Sequence, residues 1–404
     1  MQNENLFDRP QYLKELIAFK DSEFIKVISG VRRSGKSYLL KLYRNYLLQH
    51  GVTPQQIIYL SFEDFENIDL YDPKKLNSFL KERFIPDTKM YLLLDEIQYV
   101  KDWQRLINSL RLNPLLDIIV TGSNSSLLNG ELATLLSGRY VEIHVYPLSF
   151  KELLEFKQIS SPSEAEIDRL YSEYVRYGGF PAVVLAKKEL KQTILSGIYD
   201  TILLNDIGYK NGLRDPALVN LVAKYLVDTV GQLINPNKIV NTLKSANFKV
   251  SYSAVQNYLT YFEQAYLFYK ASRYDISGRK ILSSQGKYYL VDTGLRVEAL
   301  GERANNRGSI LENIVYIELL RRGYKVQIGK LENKEIDFVA TKVNDKQYIQ
   351  VTYQLPENSM RETDNLLQIP DNYKKIVITD RYEDQEMIAG IPIINIRDWL
   401  LENR

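Results

Sequence analysis

The sequence predicts an α/β protein whose N-terminal part is a doubly wound parallel sheet. Three observations predict it. Apolar, strand-length runs alternate with amphipathic, helix-length segments up to about residue 149, the order that builds a parallel sheet covered by helices on both faces. The first of these runs, FIKVIS at residues 24–29, opens directly into the loop GVRRSGKS. A later run, MYLLLDE, ends in two adjacent acids, Asp95 and Glu96.

Taken in order, a short helix (QYLKELIAF) precedes the strands FIKVIS, IIYLSF, MYLLLDE, DIIVTGS and VEIHVYPL. Three of these are nearly continuous apolar runs, as expected of strands buried on both faces. SYLLKLYRNYLLQH and DWQRLINSLRL supply helices between them. Residues 150–215 read as helical, broken at RYGGFP, where two glycines and a proline force a turn. In residues 216–292 a helix (NPNKIVNTLKSANF), a break at KVS and a long helix (YSAVQNYLTYFEQAYLFYKA) lead into the hairpin ASRYDISGRKILSSQGKYYLVD. That succession predicts a winged helix. Residues 293–404 carry a helix (GSILENIVYIELLRRG) followed by the strands YKVQIGK, EIDFVATKV and KQYIQVTYQL, a separate mixed α/β domain.

Composition bounds the reading. A chain of 404 residues calls for two to four domains. Its 45% hydrophobic and 25% charged content is that of a globular protein, and a net charge of +2 gives no global basic field. Nucleic-acid binding therefore has to come from local patches. Cysteine is absent, which excludes disulfides and thiolate metal sites. No apolar run approaches the roughly 20 residues of a membrane span, and the N-terminus has no signal core. The expectation is a cytoplasmic protein with no membrane partner.

The loop GVRRSGKS fits the P-loop pattern, with Gly30, Gly35, Lys36 and Ser37 in the required places. The glycines let backbone N–H groups face phosphates, Lys36 reaches the β/γ oxygens, and Ser37 offers a hydroxyl to Mg2+. Arg33, Ser34 and Tyr38 complete the cofactor-binding set. Asp95 is placed to hold the metal and Glu96 to orient and polarise the attacking water. An acid pair ending a buried strand without such a task would carry a desolvation cost of several kcal/mol. The guanine-selecting Asn-Lys-x-Asp pattern is missing, since NKIV at Asn237 ends in valine, so ATP is the expected nucleotide. Two readings stand for Ser123 and Asn124 in IIVTGSNSS: contact with the γ-phosphate or its water, or the N-cap of a following helix. Two also stand for Arg139 in LLSGRYVEI: an arginine finger serving a neighbouring subunit, or a surface arginine closing a turn.

With these residues in place, the chain resembles the AAA+ ATPases, within a prokaryotic group carrying a C-terminal domain related to restriction-endonuclease folds. GVRRSGKS and LLLDEIQ carry the superfamily likeness; LSGRYVEIHVYPLSFKELL, YVRYGGFPAVV, KYYLVDTGL and LENIVYIELLRRGY carry that to the group. The resemblance implies a core over residues 1–149 with strand order 5-1-4-3-2. It further implies a helical lid over 150–215 containing Gly178, Gly179 and Pro181, then a winged helix over 216–292. Asp95 and Glu96 become the Walker B pair, and Arg139 falls where an arginine finger is often found. The second arginine usual in an AAA+ lid has no identifiable counterpart.

The second helix of the winged unit, SYSAVQNYLTYFEQAYLFY, has no lysine or arginine, whereas the hairpin has Lys270, Arg273, Arg279, Lys280 and Lys287. Phosphate contacts that fix a recognition helix on DNA come mostly from basic side chains. The module thus reads as a connector, with DNA contact through the wing as the alternative. Residues 293–404 resemble the PD-(D/E)xK nuclease fold, with Glu312 as the first acid and Asp337 as the central aspartate. Gln350 replaces the acid of the next strand, and Thr352 stands where lysine is expected. Lys330 or Lys334 would then have to take the lysine's place. The expectation is an inactive, nuclease-like scaffold.

Three functions follow from these readings. One is a Mg2+-dependent ATPase that rearranges its C-terminal modules; another is a nucleotide-gated regulatory module with slow hydrolysis; the third is a DNA-processing protein with a working C-terminal nuclease. A homo-oligomer and a protein client are the implied partners.

Overall fold

The structure, a computed structural model, describes residues 7–125, 136, 138–213, 215–301, 307–355 and 361–402. The first six residues, which belong to the stretch read as lacking a signal core, lie outside them. The chain divides into two compact units, Met1–Tyr146 with Gln264–Tyr266, and Pro147–Glu263 with Leu267–Arg404.

The first unit is a parallel sheet of β1 (Ile25–Ser29), β2 (Ile57–Ser61), β3 (Met90–Asp95), β4 (Leu116–Thr121) and β5 (Tyr140–His144). Their order is β2-β3-β4-β1-β5, the expected 5-1-4-3-2 read from the other edge. α1 (Pro10–Ala18), α2 (Lys36–Gln49), α3 (Pro73–Lys81) and α4 (Trp103–Leu110) cover the faces. Side chains alternate between faces along a strand. Val27, Leu92, Leu94, Ile118 and Val120 accordingly pack with Leu76, Leu80 and Trp103, while Ile28, Leu93 and Ile119 pack with Leu16, Leu39 and Tyr43. Each such side chain contributes about 1.5–3 kcal/mol of burial.

Register carries this sheet to the site. Ile28 pairs with Thr121, Leu94 with Val120 and Ser61 with Asp95. The C-terminal ends of β1, β3 and β4 therefore share one edge, where the loop after β1 meets Asp95, Glu96 and Thr121. Inside the sheet, Lys26 of β1 and Asp117 of β4 form a fully buried ion pair at 2.6 Å. Asp117 also accepts the Asp21 backbone N–H at 2.7 Å. The apolar reading of these strands did not foresee it.

The second unit begins with α5 (Phe150–Phe156), α6 (Glu164–Tyr177), α7 (Pro181–Leu185) and α8 (Lys188–Thr201), followed by a π-helical stretch, Ile202–Tyr209. The expected break falls between α6 and α7. Gly178 has φ +69°, and a Cβ there would lie 1.7 Å from Asp292 Oδ1. Asp292 accepts N–H groups from Gly179 (2.7 Å) and Gly294 (2.9 Å), which explains why this turn needs glycine.

Next come α9 (Pro216–Asp228), α10 (Pro236–Ser245) and α11 (Tyr252–Gln264), then the antiparallel pair β6 (Phe268–Asp275) and β7 (Lys280–Leu290). The long helix expected over residues 252–271 is shorter. It stops at Gln264, Tyr266 takes φ +55°, and Phe268 already belongs to β6. α9 was also missed by the sequence reading.

The chain continues through α12 (Gly294–Leu300), α13 (Arg307–Arg321), β8 (Lys325–Leu331), β9 (Lys334–Lys342), β10 (Asp345–Thr352), α14 (Arg361–Leu367), β11 (Lys374–Thr379), β12 (Met387–Ile388), β13 (Ile391–Asn395) and α15 (Ile396–Leu401). The strands form one sheet, β12-β13-β11-β10-β9-β8-β6-β7. β6 pairs with β8 through Arg273 and Ile328, so the boundary placed at residue 292 crosses a continuous sheet. Among the described residues no helix is long and apolar enough to cross a membrane.

Candidate functional site

The loop between β1 and α2 is shaped by residues that tolerate positive φ. Gly30 has φ +138°, and a Cβ there would lie 2.2 Å from the Val145 carbonyl oxygen; only glycine fits. Gly35, at φ +103°, caps α2, and Arg33 lies at φ +69°. The loop ends at the N-terminus of α2, where unpaired N–H groups and the helix dipole favour an anion. Lys36 is the first residue of that helix and is buried. Its Nζ donates to the carbonyls of Gly30 (3.0 Å) and Val31 (3.1 Å) and lies 3.8 Å from Glu96 Oε1. Ser34 Oγ is buried with no hydrogen-bond partner among the described residues, a polar atom in the loop with capacity for a ligand.

The acids sit opposite. Asp95 and Glu96 are both buried, and Glu96 adopts a left-handed backbone at φ +54°. Thr121 joins them: its Oγ1 donates to Asp95 Oδ1 at 2.6 Å and accepts the Glu96 N–H at 2.9 Å. Burial raises the Asp95 carboxyl above the usual carboxylate range. Hydrogen bonds from Thr121 and Ser37 oppose that rise, the Glu96 charge adds to it, and Lys36 pulls it down. The Ser37–Asp95 bond brings together the two residues read as metal-holding. Gln98 Nε2 donates to Glu96 Oε2, fixing the carboxylate that Lys36 approaches from its other oxygen. A hydroxyl beside a buried carboxylate, with an orphaned serine and a lysine on the same loop, is a donor set that fits Mg2+ and the phosphates of a nucleotide.

Three supports of the loop were not found by the sequence reading. Thr121 was passed over for Ser123 and Asn124, although it lies in the same TGSNSS run. Arg9 is 1% exposed and clamps the loop from outside, donating to the carbonyls of Ser34 (3.0 Å) and Tyr146 (3.1 Å) and lying over the Tyr12 ring. Under the loop, Ser29 Oγ donates to Glu142 Oε1 (2.5 Å) and contacts His144 Nδ1 (2.7 Å). Burial would raise the Glu142 carboxyl, but bonds from His144, Ser29 and Tyr266 hold it below its ordinary value.

The remaining predicted residues divide. Ser123 and Asn124 are buried just beyond β4, and the helix either would cap lies outside the described residues. Tyr38 bonds the Phe7 backbone N–H through its hydroxyl, and Arg33 is exposed. Arg139 is exposed, and its carbonyl accepts the Ile25 N–H at 3.0 Å. It therefore lies at the start of β1, separated from the loop by the length of that strand, roughly 3.3 Å per residue. It is placed away from its own chain's loop.

In the second unit, Glu312 on α13, Asp337 on β9 and Gln350 on β10 do converge on one face of the sheet. Asp337 Oδ2 accepts the Val351 N–H at 2.8 Å, and Gln350 Oε1 accepts the Asp337 N–H at 3.4 Å. The cation beside them comes from neither expected lysine. Lys287 on β7, 4% exposed, reaches Glu312 at 3.0 Å and Glu335 at 2.8 Å. Lys330, near the end of β8, and Lys334, at the start of β9, instead flank the β8–β9 turn, where they pair in register with Glu335 and Leu331. Burial alone would lower the Lys287 ammonium, but Glu312, Asp337 and Glu335 together hold it above its usual range. Burial and the Glu312 charge push the Asp337 carboxyl well up. Among the described residues no group of three or more His, Cys, Asp or Glu side chains is placed to hold a metal ion.

Comparison with known proteins agrees with the first unit. Residues 22–154 match the family described as AAA domain, and residues 168–306 match a domain of unknown function, DUF8612. The chain is 53% identical over 399 residues to an "Uncharacterized protein" of Haemophilus influenzae, covering 98% of this chain and 99% of that one. It is 35% identical over 351 residues to "Uncharacterized protein MJ1544" of Methanocaldococcus jannaschii, covering 84% and 77%. Among solved structures it is similar to the Walker-type ATPase PABY2304 of Pyrococcus abyssi, at 16% identity and TM-score 0.49 over 74% of this chain and 97% of that one. AMPPCP-bound DnaA from Aquifex aeolicus is similar at 17% identity and TM-score 0.29, over 63% and 86%. The chain belongs to the family of AAA-domain proteins that includes these Haemophilus and Methanocaldococcus relatives.

Proposed function

We propose that the protein is a Mg2+-dependent ATPase whose hydrolysis rearranges the modules that follow its AAA core. The observation that carries this reading is the Thr121 bridge, which fixes Asp95 and Glu96 at the strand edge facing Lys36. Ser37 and Asp95 would hold the ion, which when bound neutralises charge on the β- and γ-phosphates. Lys36 exchanges the Gly30 and Val31 carbonyls for phosphate oxygens, a charge-assisted bond stronger than the neutral ones it leaves. Glu96 accepts the proton of the attacking water as its oxygen bonds to the γ-phosphorus. The bond from that phosphorus to the bridging oxygen breaks, and ADP leaves with the electron pair. Gln98 keeps the Glu96 carboxylate pointing toward the loop. ATP is preferred to GTP in this reading because the guanine-selecting Asn-Lys-x-Asp pattern is missing, NKIV ending in valine.

Within the second unit we propose residues 150–215 as the lid, 216–292 as a winged helix whose hairpin, β6 and β7, is shared with the sheet of its neighbour, and 293–404 as the nuclease-like domain. The three-helix run α9–α11 leading into β6 and β7 supports the winged reading, and wing residues such as Lys270 and Arg273 would make any DNA contact. The nuclease-like domain is proposed not to cleave. The buried cation beside Glu312 and Asp337, Lys287 of the preceding hairpin, is engaged by Glu312 and Glu335, and Thr352 spends its hydroxyl on the Gln354 carbonyl. A cytoplasmic location and a homo-oligomer in which Arg139 serves a neighbour complete the proposal.

Two variants test the core. Lys36→Ala should abolish tight ATP binding, whereas Glu96→Gln should bind and retain ATP without turning it over. Equal loss of affinity in both, measured by calorimetry, contradicts the assignment.

A further inference from the structure

We propose that the second unit carries a second phosphate site, in which Arg307 and Arg381 at the phenol of Tyr353, with Arg397 on the same cavity wall, take the terminal phosphate of a nucleotide. These residues line one open cavity of about 530 Å³, a size suited to a small-molecule ligand. They arrive from different parts of the chain: Arg307 begins α13, Tyr353 follows β10, Arg381 follows β11, and Arg397 lies in α15 just after β13. β10, β11 and β13 are parallel neighbours. The cavity therefore lies outside the carboxyl ends of parallel strands, where open α/β sheets bind ligands.

The cavity wall carries three arginines against two carboxylates, Asp168 and Asp380. Both of those carboxylates lie beside Arg397, which leaves the charge of the other two arginines to favour an anion. Arg307 Nη1 donates to the Tyr353 hydroxyl at 2.5 Å and Arg381 Nε at 3.3 Å. Among the described residues neither guanidinium has a carboxylate within ion-pair distance. Their charge is felt by the phenol, which Arg381 first and Arg307 second hold below its ordinary pKa. Arg397 differs in being anchored. It pairs with Asp168 at 2.6 Å, donates to the Asp380 carbonyl at 2.5 Å and lies over the Tyr171 ring. The site thus has one fixed guanidinium and two whose main partner is a neutral hydroxyl that an oxyanion can replace.

Phosphate is the anion this arrangement suits. Guanidinium forks match its oxygens in pairs, and a phosphate presents enough acceptors for more than one fork. The exposed ring of Tyr382 on the cavity wall offers a face on which a base can stack. The ligand is therefore a nucleoside monophosphate group, free or as the 5′ end of a single strand.

The test uses the full chain with Lys36→Ala, so that the AAA loop contributes little. Probes are AMP and a 3′-fluorescein oligothymidine of about ten nucleotides, with and without a 5′-phosphate. Anisotropy should report tighter binding of the phosphorylated strand. Arg307→Gln with Arg381→Gln should weaken it at least about tenfold, as expected when charge-assisted bonds are lost. Both arginines are exposed, so an unchanged thermal transition is expected and separates lost binding from lost fold. Displacement of the strand by AMP identifies a free nucleotide as the ligand; phosphate-dependent binding that AMP does not displace identifies a strand end. No binding, no preference for the 5′-phosphate, or equal binding by the arginine variants overturns the proposal. A retained ATP site in Lys36→Ala would count against the AAA assignment alone, because only the Arg307/Arg381 pair reads the second site.

Discussion

Thr121→Val removes one hydroxyl and keeps the side-chain shape, and it should uncouple the two acids from each other. The wild-type hydroxyl serves two buried groups, donating to Asp95 Oδ1 at 2.6 Å and accepting from the Glu96 N–H at 2.9 Å. Leaving each unpartnered costs roughly 1–3 kcal/mol, so a combined loss of about 2–4 kcal/mol is expected after relaxation. For a unit of this size the melting temperature should fall by roughly 5–15 °C.

The functional consequence has a sign. Burial already holds the Asp95 carboxyl above its ordinary pKa, and the Thr121 bond is the largest influence pulling it down. Without that bond the carboxyl rises further, so the deprotonated form that can hold Mg2+ is reached only at higher pH. The acid limb of the turnover profile should move toward neutral pH, with turnover at neutral pH lower and partly recovered as pH rises. Thr121→Ser should restore the wild-type profile because it returns the hydroxyl. Steady-state phosphate release from pH 5 to 9, beside thermal melts of the three proteins, measures both effects. A Thr121→Val protein with wild-type turnover and an unmoved acid limb would refute the role of the bridge.

Two further predictions concern residues outside the loop. Arg139→Ala should lower turnover while leaving ATP affinity nearly intact, and mixing it with Glu96→Gln should restore part of the activity. Fully operating arginine fingers supply roughly 10³–10⁵ in rate, and undiminished turnover at all protein concentrations would sink the idea. Supercoiled and linear DNA incubated in Mg2+ or Mn2+, with and without ATP, should remain intact; nicking that disappears in Asp337→Ala would overturn the non-cleaving assignment.

The parts of the fold that were legible are those written locally. GVRRSGKS lies between a buried strand and an amphipathic helix, and the five strands of the first sheet fall where apolar runs place them. What was not legible depends on partners far along the chain. Arg9, flanked by Asp8 and Pro10, reads as a solvated residue, yet it is buried because carbonyls of Ser34 and Tyr146 receive it. Lys26 and Asp117 interrupt apolar strands and are tolerated only because register sets them against each other; breaking such a buried pair typically costs about 3–5 kcal/mol. The run YFEQAYLFYKA keeps an apolar pattern compatible with helix, while its break depends on a left-handed tyrosine at Tyr266, a conformation that costs energy and that no propensity announces.

Lys287 makes the same point at the second cluster. By proximity in sequence, the cation expected in place of Thr352 is Lys330 or Lys334. The sheet is not ordered by sequence there. β6 lies between β7 and β8, which brings a hairpin that precedes α13 in the chain to the strands that follow it. The half-buried carboxylates on α13 and β9 favour a compensating charge wherever the fold can supply one, and β7 supplies it with a buried side chain held between Glu312 and Glu335. A lysine so engaged satisfies the acids without a metal. Removing it should therefore disturb the sheet: Lys287→Met would leave Glu312 and Asp337 without their cation, and a lowered thermal transition of the variant would show the loss.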